Sequence, residues 1–169
     1  MIEEKYQELL EKRSDVNKHF PTIRKYVAEG DTVLELGVRH MVSTWALLAN
    51  KPSQLISVDV VAPPEDALRE VKEATQKEGI NFQFQQQDST VVDLFPGVDV
   101  LFVDTLHLYS QVVKELWRHA HKTRKYIIFH DYHIPEVSAA IHDFLYNTDW
   151  EWAEINAEDS GLAVVKRVR

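Results

Sequence analysis

The chain contains no cysteine among its 169 residues, which excludes disulfides, thiolate zinc sites, iron–sulfur clusters and cysteine nucleophiles. It has only five glycines, about 3% against a usual ~7%. The motifs built on them are missing too: there is no G-x-G-x-x-G, Walker A loop or G-x-S-x-G elbow, and no H-E-x-x-H helix. Basic residues are the minority, 19 against 27 acidic, for a net charge of −8. That balance leaves no general electrostatic footprint for duplex nucleic acid or an anionic membrane. The one dense basic cluster (Arg118, Lys122, Arg124 and Lys125) falls at a predicted helix end, where cations suit the helix dipole. No apolar run approaches the ~18 residues of a membrane span, and the first five residues lack the apolar core of a signal peptide. A soluble, cytoplasmic, single-domain protein over 1–169 is expected, with no nucleic-acid or membrane partner.

What is present alternates. Residues 1–29 read as a helical segment: Ile2, Tyr6, Leu9 and Leu10 form one stripe, Ile23, Tyr26 and Val27 another, and Pro21 marks a break between them. From 32 to 169, apolar runs of strand length alternate with helical patterns. Strands are predicted at 32–36, 55–60, 81–87, 98–103 and 126–129, the third at an edge because of its glutamines. The helices between them start at Ser43 as a cap, at Pro63-Pro64 with a stop at Gly79, after the fourth strand, and at Pro135. The third of these is expected to bury Val112, Val113, Leu116, Trp117 and Ala120. Strand-like runs at 150–155 and 162–168 close the chain as a hairpin through Asp159-Ser160-Gly161. The pattern implies an α/β fold: a doubly wound, mostly parallel seven-stranded sheet with a C-terminal antiparallel hairpin.

In such sheets ligands bind at the carboxyl ends of the strands, where the strand order reverses. Acidic residues stand at or beside five successive strand ends: Glu35, Asp59, Asp88, Asp104 and Asp131. One alone is an ordinary cap or turn residue; the repetition points to a site. The first strand-to-helix turn has a single glycine, Gly37, and Val38, Arg39 and Met41 crowd the approach a dinucleotide pyrophosphate would need. Of the eight histidines, His107, His130 and His133 belong to loops at the same face, whereas His19, His119, His121 and His142 read as solvated.

Three segments carry a family resemblance. Val33-Leu-Glu-Leu-Gly-Val-Arg-His-Met-Val-Ser-Thr44 resembles the first motif of class I S-adenosylmethionine-dependent methyltransferases. The variant is similar to that of the macrocin, rhamnosyl and cephalosporin-hydroxylase-like small-molecule O-methyltransferases. Val103-Asp-Thr-Leu-His-Leu-Tyr109 and Ile127-Ile-Phe-His-Asp-Tyr132 resemble later motifs of that group, in order. The resemblance implies a Rossmann-like methyltransferase fold and S-adenosylmethionine as cofactor. It places Glu35 and Gly37 beside the methionyl part, with Ser43 and Thr44 at the next helix start. Asp59 falls on the ribose hydroxyls, Asp88 and Ser89 near the adenine, and Asp104 next to the sulfonium and the acceptor. Met41 stands where the family usually has glycine. It implies either a rebuilt loop, with Arg39 or His40 facing the cofactor carboxylate, or weakened binding.

The expected activity is methyl transfer to a small hydroxylated molecule. His107 or His130 is the candidate general base, and Asp104 lies beside the reacting atoms. Catechol O-methyltransferase-like relatives hold a divalent metal ion after strands four and five, and the corresponding residues are Asp104, His130 and Asp131. Three other readings stay open: cleavage or hydrolysis of the cofactor, a binding protein without turnover, and a metal-dependent hydrolase built on Asp104, His107, His130 and Asp131. The acceptor is unspecified, and a homo-oligomer is left open.

Overall fold

The computed structural model describes residues 1–93 and 96–168. The short apolar runs become strands because they are rich in Val, Ile, Leu and Phe and are bounded by turn residues. Five of them run parallel: β1 (Thr32–Leu36), β2 (Gln54–Asp59), β3 (Asn81–Gln86), β4 (Val98–Val103) and β5 (Thr123–His130). β6 (Trp150–Asn156) and β7 (Leu162–Arg167) form the closing hairpin, with β7 antiparallel to β5. The seven strands make one sheet in the order β3-β2-β1-β4-β5-β7-β6, with glutamine-rich β3 at an edge. Connections from β1 run outward through β2 to β3, and then return to β4 on the other side of β1. The switch point therefore lies between the carboxyl ends of β1 and β4.

Alternate side chains face opposite sides of a sheet, and both sides here are covered. Val33, Val100, Phe102, Ile128 and Val164 pack on the side of α1 (Ile2–Glu11), α2 (Phe20–Tyr26), α3 (Val42–Leu48) and α4 (Glu65–Glu78). Leu34, Leu101, Val103, Ile127, Phe129 and Val165 pack on the side of α5 (Tyr109–His119) and α6 (Pro135–Asn147). α4 begins after Pro64 and stops at Gly79, whose φ of 73° gives the left-handed C-terminal cap. Among the described residues, no helix is long and apolar enough to cross a membrane.

Several expectations change. Pro21 opens α2 in its first turn, where its missing N–H is harmless; the break lies earlier, at residues 12–16. Trp117 is 82% exposed. α5 buries Val112, Glu115, Leu116 and His119, and one further residue rotates the side chain ~100° away from that stripe. His119 and His19 are buried, not solvated: Nε2 of His119 bonds the Ser89 carbonyl at 2.6 Å, and Nε2 of His19 bonds that of Glu158 at 2.8 Å. Ser43 lies inside the first turn of α3, where its hydroxyl donates to Glu35 and leaves the cap position to Met41. The basic cluster turns inward on the chain. Arg118 donates to the Val91 carbonyl, Lys122 pairs with Asp93, Arg124 with Asp99 and Lys125 with Asp31.

The segment 12–19 returns from α1 to the carboxyl ends of the strands. His130 Nε2 meets the Asp15 carbonyl oxygen at 3.0 Å, and Lys18 pairs with Asp159 at 3.3 Å. Together with His19, these contacts fasten the segment to the end of β5 and to the β6–β7 turn.

Candidate active site

The turn after β1 is held by two backbone bonds, one to β2 and one across the switch point to the end of β4. Gly37 N–H donates to Val58 O, and Asp104 N–H to Leu36 O, both at 2.8 Å. Gly37 has φ 87°, and a Cβ there would lie 1.9 Å from the Asp104 carbonyl oxygen. This glycine is required by close approach as much as by conformation. Met41 answers the question posed by its side chain. It takes the left-handed backbone that a glycine would take, φ 60° and ψ 31°, and its side chain is fully buried in the core. The strain of ~1–2 kcal/mol is offset by burying the thioether chain, which contributes about 1.5–3 kcal/mol. Met41 thus supplies the left-handed residue of this turn without a glycine.

Glu35 lies beneath this turn and has no exposed surface. The hydroxyls of Ser43, Thr44 and Ser57 donate to its carboxylate at 2.6–3.1 Å. Glu35, Ser43 and Thr44 thus form an internal strut between β1, α3 and β2, and they do not line the cleft above. Burial pushes the Glu35 carboxyl up to about 7 from an ordinary 4.5, and the hydroxyl donors offset only part of that rise. Between those values the folded chain holds a proton that the unfolded chain has released, so stability falls as pH rises through the window, by about 3 kcal/mol. Unfolding in urea at pH 5 and pH 8 should therefore show Glu35→Gln gaining on the wild type by about that amount. A pH-independent difference between the two would mean that Glu35 is ionised throughout.

Above the strut lies a cleft of about 260 Å³, lined by Gly37, Arg39, Asp59, Asp88, Ser89, Asp104, Thr105 and Gln111, among others. Asp59, at the end of β2, has a structural task. Its Oδ2 accepts from the N–H groups of Val38 (2.8 Å) and Arg39 (3.3 Å), and its Oδ1 from Val61 N–H (3.0 Å). Oδ1 keeps acceptor capacity for a ligand. Asp88 Oδ1 accepts from the N–H and hydroxyl of Thr90, which hold the carboxyl below its usual range, and Oδ2 has no hydrogen-bond partner among the described residues. Arg39 reaches the cleft while pairing with Asp15 at 2.9 Å; His40 is exposed and lies outside the lining.

Next to the cleft, the ends of β4 and β5 bring Asp104, His107, His130 and Asp131 together. His107 Nε2 lies 2.6 Å from Asp131 Oδ2 and 3.9 Å from Asp104 Oδ1. His130 Nδ1 lies 3.1 Å from Asp131 Oδ2 and 3.3 Å from Asp104 Oδ1, off line for a hydrogen bond to either. The attraction there is that of an ion pair. Burial disfavours the His130 cation, but the carboxylates of Asp104 and Asp131 outweigh it and push its pKa up to about 10. Burial would likewise raise Asp104, yet His107 and His130 hold it well below the carboxylate range. The His130 side chain has no exposed surface, whereas that of His107 is 45% exposed. Of the two candidate bases, only His107 can touch an incoming molecule. Asp131 sits at φ 58°, a strained backbone for a non-glycine residue.

One donor atom from each of Asp104, His107 and Asp131 lies within 4.8 Å of the others. Two carboxylates and an imidazole suit a divalent ion; the buried Nδ1 of His130 beside them has no hydrogen-bond partner among the described residues, and on the protonated ring it is a neighbouring cation and not a ligand. The donors fit a metal, with His107 in the position the sequence reading assigned to His130.

Solved structures share this architecture. N-methyltransferase NodS from Bradyrhizobium japonicum WM9 matches with a TM-score of 0.63 at 13% identity, over 92% of this chain and 97% of that one. An rRNA methylase from Streptococcus thermophilus gives 0.62 at 12% identity, over 93% and 98%. A candidate methyltransferase from Streptococcus mutans, solved in complex with SAH, gives 0.64 at 9% identity, over 93% and 99%. The fold is the class I methyltransferase fold. No family model matches the chain, and no curated protein does.

On the methyltransferase fold the cleft and the cluster occupy the crevice at the switch point, where ligands of open α/β sheets bind. Sequence reasoning missed Asp15, Thr105, Gln111, Ser160 and Glu115. Ser160 Oγ lies 3.3 Å from His130 Nε2. Glu115 had a legible signal: it is an acidic residue on the apolar stripe of a helix.

Proposed function

We propose that the chain is an S-adenosylmethionine-dependent methyltransferase whose acceptor is a small hydroxylated molecule. The observation that carries this is the junction of a carboxylate-walled cleft with a histidine–carboxylate cluster at the switch point of a methyltransferase fold. S-adenosylmethionine is a sulfonium cation with hydroxyl and amino donors and no phosphate, which suits acidic walls and a turn with a single glycine. Asp59 Oδ1 takes the ribose hydroxyls, Asp88 Oδ2 the adenine amine with Ser89 beside it, and Arg39 the methionyl carboxylate. The net charge of −8 favours a small acceptor over nucleic acid.

Methyl transfer is an in-line displacement, so positioning supplies most of the catalysis. The acceptor oxygen forms its bond to the methyl carbon as the sulfur–carbon bond breaks, and the hydroxyl proton must leave. Asp131 holds His107 through Nε2, which presents Nδ1 to that proton, as a carboxylate orients the imidazole in a hydrolase triad. Asp104 stands at the sulfonium. A divalent ion is a second reading, favoured by the Asp104–His107–Asp131 donor set; bound there, it would acidify the acceptor hydroxyl.

Calorimetry with S-adenosylmethionine and SAH is the first test. Binding of both is expected, and Asp59→Ala should weaken it about tenfold or more. No binding at millimolar concentration would sink the cofactor reading. Products formed from S-adenosylmethionine without an acceptor would assign cleavage or hydrolysis instead. Metal analysis of the purified protein, with activity measured before and after chelation, decides the second reading.

A further inference from the structure

Glu115 has no part in the chemistry above, yet it is fully buried directly behind the cleft. Three side chains from three segments converge on its Oε1: the Ser89 hydroxyl at 2.5 Å, the Thr105 hydroxyl at 2.7 Å and the Gln111 amide at 2.9 Å. All three belong to residues that line the cleft. Gln111 Nε2 also lies 3.2 Å from Ser89 Oγ, to which it donates.

Counting hydrogens gives the consequence. Ser89 and Thr105 each have one O–H, and both are engaged by Glu115. The two N–H groups of Gln111 are engaged by Glu115 and Ser89. What these side chains have left are lone pairs: on Ser89 Oγ, on Thr105 Oγ1 and on the Gln111 carbonyl oxygen. Asp88 Oδ2 adds another acceptor to the same wall. A wall with acceptors and no side-chain donors receives an amino group and rejects a carbonyl oxygen.

We propose that Glu115 is a positioning residue that makes the nucleoside end of the cleft selective for an aminopurine over an oxopurine, by turning the hydroxyl and amide hydrogens of Ser89, Thr105 and Gln111 away from the ligand. This rests on the reading of the cleft as the S-adenosylmethionine site. The effect is on discrimination: an apolar residue at 115 frees the three side chains to rotate and offer hydrogens to a carbonyl. Burial also raises the Glu115 carboxyl, an effect reinforced by Asp88, while the three donors oppose it. The inference needs Oε1 to accept from all three, which it does when the carboxyl is ionised or carries its proton on Oε2.

The test is the ratio of affinities for SAH and its deaminated analogue S-inosylhomocysteine, by calorimetry. Wild type is expected to prefer SAH by about a hundredfold. Glu115→Met should reduce that preference about tenfold or more, while Glu115→Gln, which keeps an acceptor oxygen, should retain it. A merely structural role would lower both affinities together and leave the ratio unchanged. If Glu115→Met does not fold, the doubly substituted Ser89→Ala, Thr105→Val chain carries the test, because it removes the wall's acceptors and should also lower the ratio. An unchanged ratio in Glu115→Met, or in the double variant where that is used, overturns the proposal. So does a wild type that binds both ligands equally. A wild type that binds neither overturns the cofactor reading itself, and this inference with it.

Discussion

Gly37→Ala should be among the most damaging single-methyl additions to this chain, with a loss of about 3–5 kcal/mol in unfolding free energy. Two effects add. An alanine at φ 87° is strained wherever it stands, by ~1–2 kcal/mol. Its Cβ would also lie 1.9 Å from the Asp104 carbonyl oxygen, where no real carbon can be. Relief requires the β1 turn to part from β4, which breaks the Asp104 N–H bond to Leu36 O and moves Asp104 within its cluster. Gly79→Ala is the internal control: its φ is 73° and nothing lies within 4 Å of the added methyl. It should lose only the conformational part, ~1–2 kcal/mol. Urea midpoints of the two variants separate strain from collision. If Gly37→Ala is no worse than Gly79→Ala, the close approach does not govern this turn.

Asp104→Ala is expected to follow closely, at about 3 kcal/mol, because it leaves a buried charge without one of its two partners. The His130 side chain has no exposed surface and faces both carboxylates. With Asp104 gone, only Asp131 remains to compensate it, at 3.1 Å. A double-mutant cycle makes the argument specific. Once His130 is replaced by glutamine, removing Asp104 should become milder, with a coupling of at least ~1.5 kcal/mol. Additive losses would mean that the contact seen here does little for stability. Catalysis should fall in Asp104→Ala as well, by about a hundredfold or more if the aspartate faces developing charge.

The strand plan was legible because each run has its own local signature. Val98–Val103 is apolar and bounded by turns, and glutamine in 81–86 marks an edge whatever the rest of the chain does. The strand-end acids were legible for a different reason: the fold decides which end of a parallel strand is functional, so Asp59, Asp88 and Asp104 could be picked before any contact was known. What each acid touches was not. Glu35 is an interior strut and Asp59 a loop anchor, because their partners (Ser57, Val38 and Arg39) become neighbours only when β1 and β2 pair. His130 and Asp15 stand 115 residues apart in the chain, and no pattern of local spacing predicts that contact. Met41 misled in an instructive way. Residue type argues against a left-handed backbone, but full burial of the side chain overrides it. Trp117 is the converse: an aromatic near an apolar stripe, with its position on the helix turning it outward.

The fastening of segment 12–19 to the far end of the chain has a consequence for biosynthesis. Lys18 reaches Asp159, His19 reaches the Glu158 carbonyl and Thr22 bonds Asn156, each across more than 130 residues. Early parts of the sheet can pair while the chain is still emerging, but these contacts wait for the β6–β7 turn to be made. Contacts of such sequence separation form late and slowly. A ribosome-bound chain that stops before Asn156 lacks these three contacts with the hairpin, so the strap over His130 is fastened only after β6 has been translated.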